Sequence, residues 1–258
     1  MRRSILAFFL LIFGLVGFAD LSAQTAPAAQ AKPDALLLYR QGRDLETAGK
    51  TADAQAKYAE SVTVCDQEIA ADPHRIDAYV VKCWSLFRLG KYQDVVNAGN
   101  TALKIQYDAR ISEIMGEAYF FLGQNDLALH SFQKYFETAS EDADRLPTAY
   151  FYVGETYFRM KKYSHADIAY SMAVHREPSM ARWWYRLGLT CENLGEWARA
   201  NDAYNKALSL SPSMADALSG RDRVKGKLSS SPAAAAPAAS TAPAAQAAPA
   251  AAPATTTP

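Results

Sequence analysis

Two segments share one layout thirty-four residues apart: LPTAYFYVGETYFRMKKYSHADIAYSMAVHREP around Gly154 and MARWWYRLGLTCENLGEWARANDAYNKALSLSP around Gly188. Each reads as two short amphipathic helices joined by a tight turn, with apolar and small residues at three- and four-residue spacing. A fixed period of this length means stacked supersecondary units, because one helix pair cannot bury its own apolar face. That requirement excludes most other folds before composition is considered.

The period extends upstream. Small residues form a column at Gly42, Cys83, Gly116, Gly154 and Gly188. A turn column lies seven residues on, at Gly49, Gly90, Gly123, Lys161 and Gly195. A mainly Ala column follows at Ala54, Val95, Ala128, Ala166 and Ala200, and a mainly aromatic one at Tyr58, Gly99, Phe132, Tyr170 and Tyr204. Small residues let the two helices of a hairpin approach closely. The aromatic then fills the gap to the next hairpin. Val95 and Gly99 depart from the pattern, so the second unit is expected to pack less regularly. Gly42 to Cys83 spans 41 residues, which predicts a longer second helix running to near Ala71. Gly116 to Gly154 spans 38, with the extra four residues in ASEDADRLP before Pro147.

These columns resemble the tetratricopeptide repeat (TPR) family over about residues 35–212. The resemblance implies an all-α, right-handed α-solenoid of about five helix hairpins, at about 35–73, 76–107, 109–146, 147–178 and 181–212. Residues 213–228 read as a capping helix with a polar outer face, as terminal repeats require. The resemblance also implies that the first helix of each hairpin lines a concave groove that binds peptides or extended segments. Groove positions fall three before, and one, four and five after, each small-column residue. They include Glu113 and Glu117, and an aromatic and basic set: Trp84, Phe87, Arg88, Phe120, Phe121, Phe151, Phe158, Arg159 and Tyr185. Aromatics exposed together in a concavity point to a binding surface; the competing reading packs some of them inside the hairpins. The Lys/Asn arrangement that clamps a terminal carboxylate in some relatives is absent, so an acidic C-terminal peptide is not the expected ligand.

The flanks differ from the middle. Arg2 and Arg3 precede an apolar run of fifteen residues, Ile5–Ala19, and Leu21-Ser22-Ala23 fits small-x-small cleavage. This predicts a signal peptide over 1–23, because the run is short for a membrane span. An uncleaved anchor is the alternative. Residues 24–34 form an Ala/Pro linker. Residues 231–258 hold 15 Ala, 6 Pro and no charge, and 229–258 are expected to be a disordered, partly polyproline-II tail, since recurrent Pro breaks helix. The tail reads either as a spacer or as a partner-binding segment.

Chemistry-bearing patterns are sparse. Lys plus Arg and Asp plus Glu both number 27, a balance that argues against nucleic-acid binding. No phosphate loop, nucleophile elbow or paired-His motif occurs, so the expectation is a non-enzymatic protein with no cofactor and no metal. Cys65, Cys83 and Cys191 include no CxxC. Cys83 and Cys191 fall on packing faces, with a Cys65–Cys83 bridge as the alternative in an oxidising compartment. The expected function is an exported, periplasmic scaffold of the bacterial envelope that holds a peptide or helical segment of another protein. Small-ligand binding, transporter association and homo-oligomerisation are the rivals.

Overall fold

The structure, a computed structural model, describes residues 34–230. The expected signal segment, most of the linker and the tail from residue 231 on lie outside the described residues; Ser229 and Ser230, expected in the tail, end the last helix. Eleven helices and no strand occur among those described. They are α1 (Ala35–Thr47), α2 (Thr51–Ala71), α3 (Ile76–Arg88), α4 (Tyr92–Ile105), α5 (Ala109–Phe121), α6 (Asn125–Thr138), α7 (Leu146–Arg159), α8 (Tyr163–Arg176), α9 (Ala181–Leu194), α10 (Trp197–Leu210) and α11 (Ala215–Ser230). Successive pairs from α1/α2 to α9/α10 form five antiparallel hairpins, and α11 packs on α9 and α10. This is the all-α helical repeat that the columns predict.

The turns recur because the chain must reverse within three residues. In each, the N–H just beyond the turn bonds a carbonyl five residues back, as in Lys50 to Leu45 (2.9 Å) and Glu196 to Cys191 (2.9 Å). That geometry needs a left-handed residue at the turn column. Glycine supplies it at four positions, and Lys161 adopts φ 58° at the fifth. A side chain held there is strained by about 1–2 kcal/mol.

The small and aromatic columns meet as ring against backbone. A Cβ added at Gly154 would lie 2.7 Å from the Tyr170 ring, so only glycine admits the buried tyrosine. Tyr58, Phe132 and Tyr204 take the same place in other hairpins and are fully buried. In the second hairpin Gly99 leaves the aromatic site empty, and Met115 of the next hairpin fills it. A Cβ at Gly99 would come within 2.4 Å of the Met115 sulfur. The small column also runs one unit beyond Gly188. Gly220 of α11 closes on the hydroxyl end of the Tyr204 ring, where an added Cβ would lie 2.4 Å from Cζ.

The buried apolar residues fall into three clusters. One joins α1 and α2 to the start of the second hairpin. The largest runs from Tyr79 to Ala149. The third runs from Phe151 to Val224. The last two meet at α7, directly after the four-residue insertion. Cys65, Cys83 and Cys191 are free and buried, so the Cys65–Cys83 bridge is not formed. Burial pushes each thiol up to about 12, which leaves little reactive thiolate near neutral pH.

Candidate binding groove

First helices touch across hairpins, α1 with α3, α3 with α5, α5 with α7 and α9 with α11. They therefore form the inner layer, and the candidate residues lie on it.

At its centre the rings of three hairpins make one cluster. Phe87 meets Tyr92 edge-on (5.4 Å) and Phe121 (5.7 Å). Tyr92 stacks on Phe121 at 4.7 Å. Phe121 also meets Phe120 (5.3 Å) and Tyr152 (5.9 Å). Phe121 remains 45% exposed, a large apolar surface left in water on the inner face. Arg159 lies over the Phe120 ring at 3.8 Å and donates to the Phe120 carbonyl at 2.6 Å. Arg88 reaches Glu46 at 3.4 Å on the other flank.

The remaining candidates separate. Trp84 packs on Tyr39 (5.6 Å) toward the first hairpin. Phe158 lies beneath the Arg186 guanidinium (4.1 Å). Tyr185 sits near Tyr204 (6.1 Å). Two expectations are corrected. Phe120 and Phe151 are each only 8% exposed, so neither is presented to a partner. Phe120 is covered by Arg159, which follows it by 39 residues, and Phe151 stacks on Trp183 at 5.3 Å. Tyr92 and Tyr152 enter the central cluster unforeseen, because neither occupies a groove position in the repeat pattern.

A polar relay stitches the layer together. Tyr58 donates its hydroxyl to Glu46 (2.8 Å), whose carboxylate pairs with Arg88 of the next hairpin. Tyr170 donates to Glu155 (2.6 Å), which pairs with Arg186. Tyr204 donates to Glu192 (2.6 Å), which takes Arg223 of α11 at 2.7 and 2.9 Å. Burial raises the three hydroxyls above the ordinary tyrosine range, and their carboxylate partners add to it. Burial also acts to raise Glu192, yet donors on Arg223 and Tyr204 hold its carboxyl below the ordinary value. The Glu-to-Arg separation of 31 residues in the last two relays is the sequence signal that could have revealed this feature.

The second hairpin, with Gly99 in the aromatic column, has no such tyrosine, and the third keeps the ring without the hydroxyl. Phe132 stands fifteen residues after Glu117, as Tyr170 does after Glu155, but it has no hydroxyl to donate. Glu117 instead lies beside Glu113 on α5. Their side chains are 3% and 2% exposed. Arg145, at the start of α7, bonds Glu113 at 3.0 Å and also pairs with Glu117. Desolvation, and then the neighbouring Glu113, push Glu117 well above the ordinary carboxylate range.

Five stacked hairpins, four of them with small-to-aromatic seams, define a tetratricopeptide-repeat solenoid. Residues 181–214 match the family model described as tetratricopeptide repeat, and the array as a whole shares the fold of tetratricopeptide-repeat proteins. Solved structures share the fold. MamA 41-end from Desulfovibrio magneticus RS-1 is 19% identical, with a TM-score of 0.54 over 72% of this chain and 99% of that one. The C-terminal part of a TPR repeat-containing protein from Cytophaga hutchinsonii is 18% identical, with a TM-score of 0.56 over 74% and 71%. YrrB, described as a TPR protein with an unusual peptide-binding site, is 19% identical, with a TM-score of 0.51 over 73% and 92%. Comparison with curated proteins gave no match.

Proposed function

We propose that this protein is a non-enzymatic scaffold that grips an extended or helical segment of another protein on its inner face. The observation that carries this reading is Phe121, half-exposed amid Phe87, Tyr92 and Tyr152. Rigid rings clustered at the middle of a surface are the usual anchors of protein interfaces. Arg88 and Arg159 flank the cluster and would set the register of the bound segment through charge and hydrogen bonds. The described fold is shared with YrrB, whose description includes a peptide-binding site, and this agrees with a peptide-gripping role here.

Phe87→Ala with Phe121→Ala is the direct test, because Phe121 is exposed where its neighbour Phe120 is buried. Partner retention on the immobilised protein should fall by at least about 30-fold, the effect of losing a hot spot of about 2 kcal/mol. The variant should keep its helical circular dichroism, with a modest fall in melting temperature, since Phe121 is already half in water but Phe87 packs against the core. Undiminished retention by a folded double variant contradicts the reading.

The proposed site of action is the bacterial envelope, after export. Support comes from the Arg2-Arg3 start, the apolar run Ile5–Ala19 and the Ala23 cleavage pattern. Among the described residues no helix is long and apolar enough to cross a membrane. Intact-mass measurement on protein recovered from its host should place the first residue at Gln24. A chain that still begins at Met1 counts against a cleaved signal.

A further inference from the structure

The third and fourth hairpins are joined differently from the others. The four-residue insertion precedes α7, the two larger apolar clusters divide there, and a cleft of about 580 Å³ lined by Phe136, Val153 and Tyr157 opens between α6 and α7. Across this joint, two buried carboxylates on one face of α5 share a single cation from α7. Elsewhere each relay carboxylate has its own tyrosine donor and its own arginine.

We propose that Glu113, Glu117 and Arg145 form a proton-operated latch: a proton held between the two carboxyls lets Arg145 tie α7 to α5, and losing that proton loosens the joint. The charge count requires such behaviour. With one carboxyl protonated, the remaining buried Glu⁻ is balanced by Arg145. With both ionised, one buried negative charge has no counter-ion, and an uncompensated buried charge is strongly unfavourable.

The groups facing the pair leave it without another strong cation. On α5 itself the neighbour is the other carboxyl. From α3 comes Arg88, a minor influence on Glu117 and already engaged with Glu46. From α6 comes Tyr135, which burial and then Glu113 push up to about 12. From α7 come Arg145 and Tyr152, the latter raised by burial and then by Glu117. Tyr39 of α1 faces Arg145, Arg182 of α9 faces Tyr152, and Asp144 faces Tyr135. From α4, Gly99 meets Met115 and Ile111 and brings no charge. A carboxyl raised in the folded state contributes stability below its unfolded value of 4.5, and that contribution is lost as pH rises through the higher folded value.

The latch makes no use of a bound partner, so its test is separate from that of the groove. Carboxyl-carbon NMR on glutamate-labelled protein should show one resonance titrating above the ordinary carboxylate range, absent in Glu117→Gln. Between about pH 5 and pH 9, the wild-type melting temperature should fall relative to Glu117→Gln. The fall should be roughly 3–5 °C for each pH unit by which that titration midpoint exceeds the ordinary one. Over the same range, intrinsic-rate-corrected exchange protection of the first α7 turn should drop about tenfold per pH unit between the ordinary and the raised midpoint and then level off, in the wild type alone. Phe132→Tyr, which restores the missing donor, should lower the titration midpoint and flatten the dependence. The idea is overturned if every glutamate titrates in the ordinary range, or if α7 protection stays constant with pH. Should Glu117→Gln fail to fold, the wild-type titration and Phe132→Tyr decide the matter alone.

Discussion

Arg145→Ala should lower unfolding free energy at pH 8 by about 3 kcal/mol, the scale of removing one partner from a buried pair. The side chain is itself half in water, 48% exposed, but both carboxylates it serves are shut away from solvent. Its loss therefore strands charge rather than packing. Acid should rescue the variant, because protonating Glu113 and Glu117 removes the charge that needs Arg145. Arg145→Lys should recover only part of the loss, since one ammonium cannot present the guanidinium fork to two carboxylates. Urea unfolding at about pH 5 and pH 8 measures both effects. A deficit of equal size at the two pH values contradicts a proton-operated joint.

The second large effect is expected at Tyr170. Its ring fills the seam of the fourth hairpin, is fully buried, and rests on the bare backbone of Gly154. Tyr170→Ala should lower stability by about 3–5 kcal/mol through the cavity it leaves. It also removes the hydroxyl that Glu155 accepts. Because the apolar interior divides at α7, the loss should stay in the C-terminal cluster and split unfolding into two steps, as nearest-neighbour repeat energetics allow. Trp183, Trp184 and Trp197 all belong to that cluster. Their fluorescence change should therefore come at lower urea than the loss of helical circular dichroism from the N-terminal hairpins. Coincident transitions would show that the clusters unfold as one.

The solenoid is legible in the sequence because backbone proximity is unforgiving. Only a residue without a Cβ fits under Tyr170 or Phe132, so Gly154 and Gly116 mark every seam they serve. The site is less legible because side-chain exposure depends on residues far away in the chain. Phe120 occupies the same repeat position as Phe87, yet the next hairpin brings the guanidinium of Arg159 over Phe120 and only the edge-on ring of Phe121 against Phe87. Met115 fills the gap at Gly99 from the next hairpin, which no within-repeat pattern encodes. The latch is hidden for a related reason. Glu117 reads as an ordinary groove carboxylate until Phe132 is compared with Tyr58, Tyr170 and Tyr204 and the missing hydroxyl is noticed. Gly220, thirty-two residues after Gly188, is available as a sixth member of the small column and reads clearly once α11 is seen to do the work of a first helix.

Everything proposed about function rests on a partner segment lying on the inner face over Phe121. A photo-reactive phenylalanine placed at 121 tests it, with the same residue at Ile168 as the control. Ile168 is 67% exposed on α8, a second helix outside the inner layer. The expected result is a discrete crosslinked adduct from position 121 that Phe87→Ala diminishes, and none from position 168. Adducts from 168 alone, or equally from both positions, would contradict it.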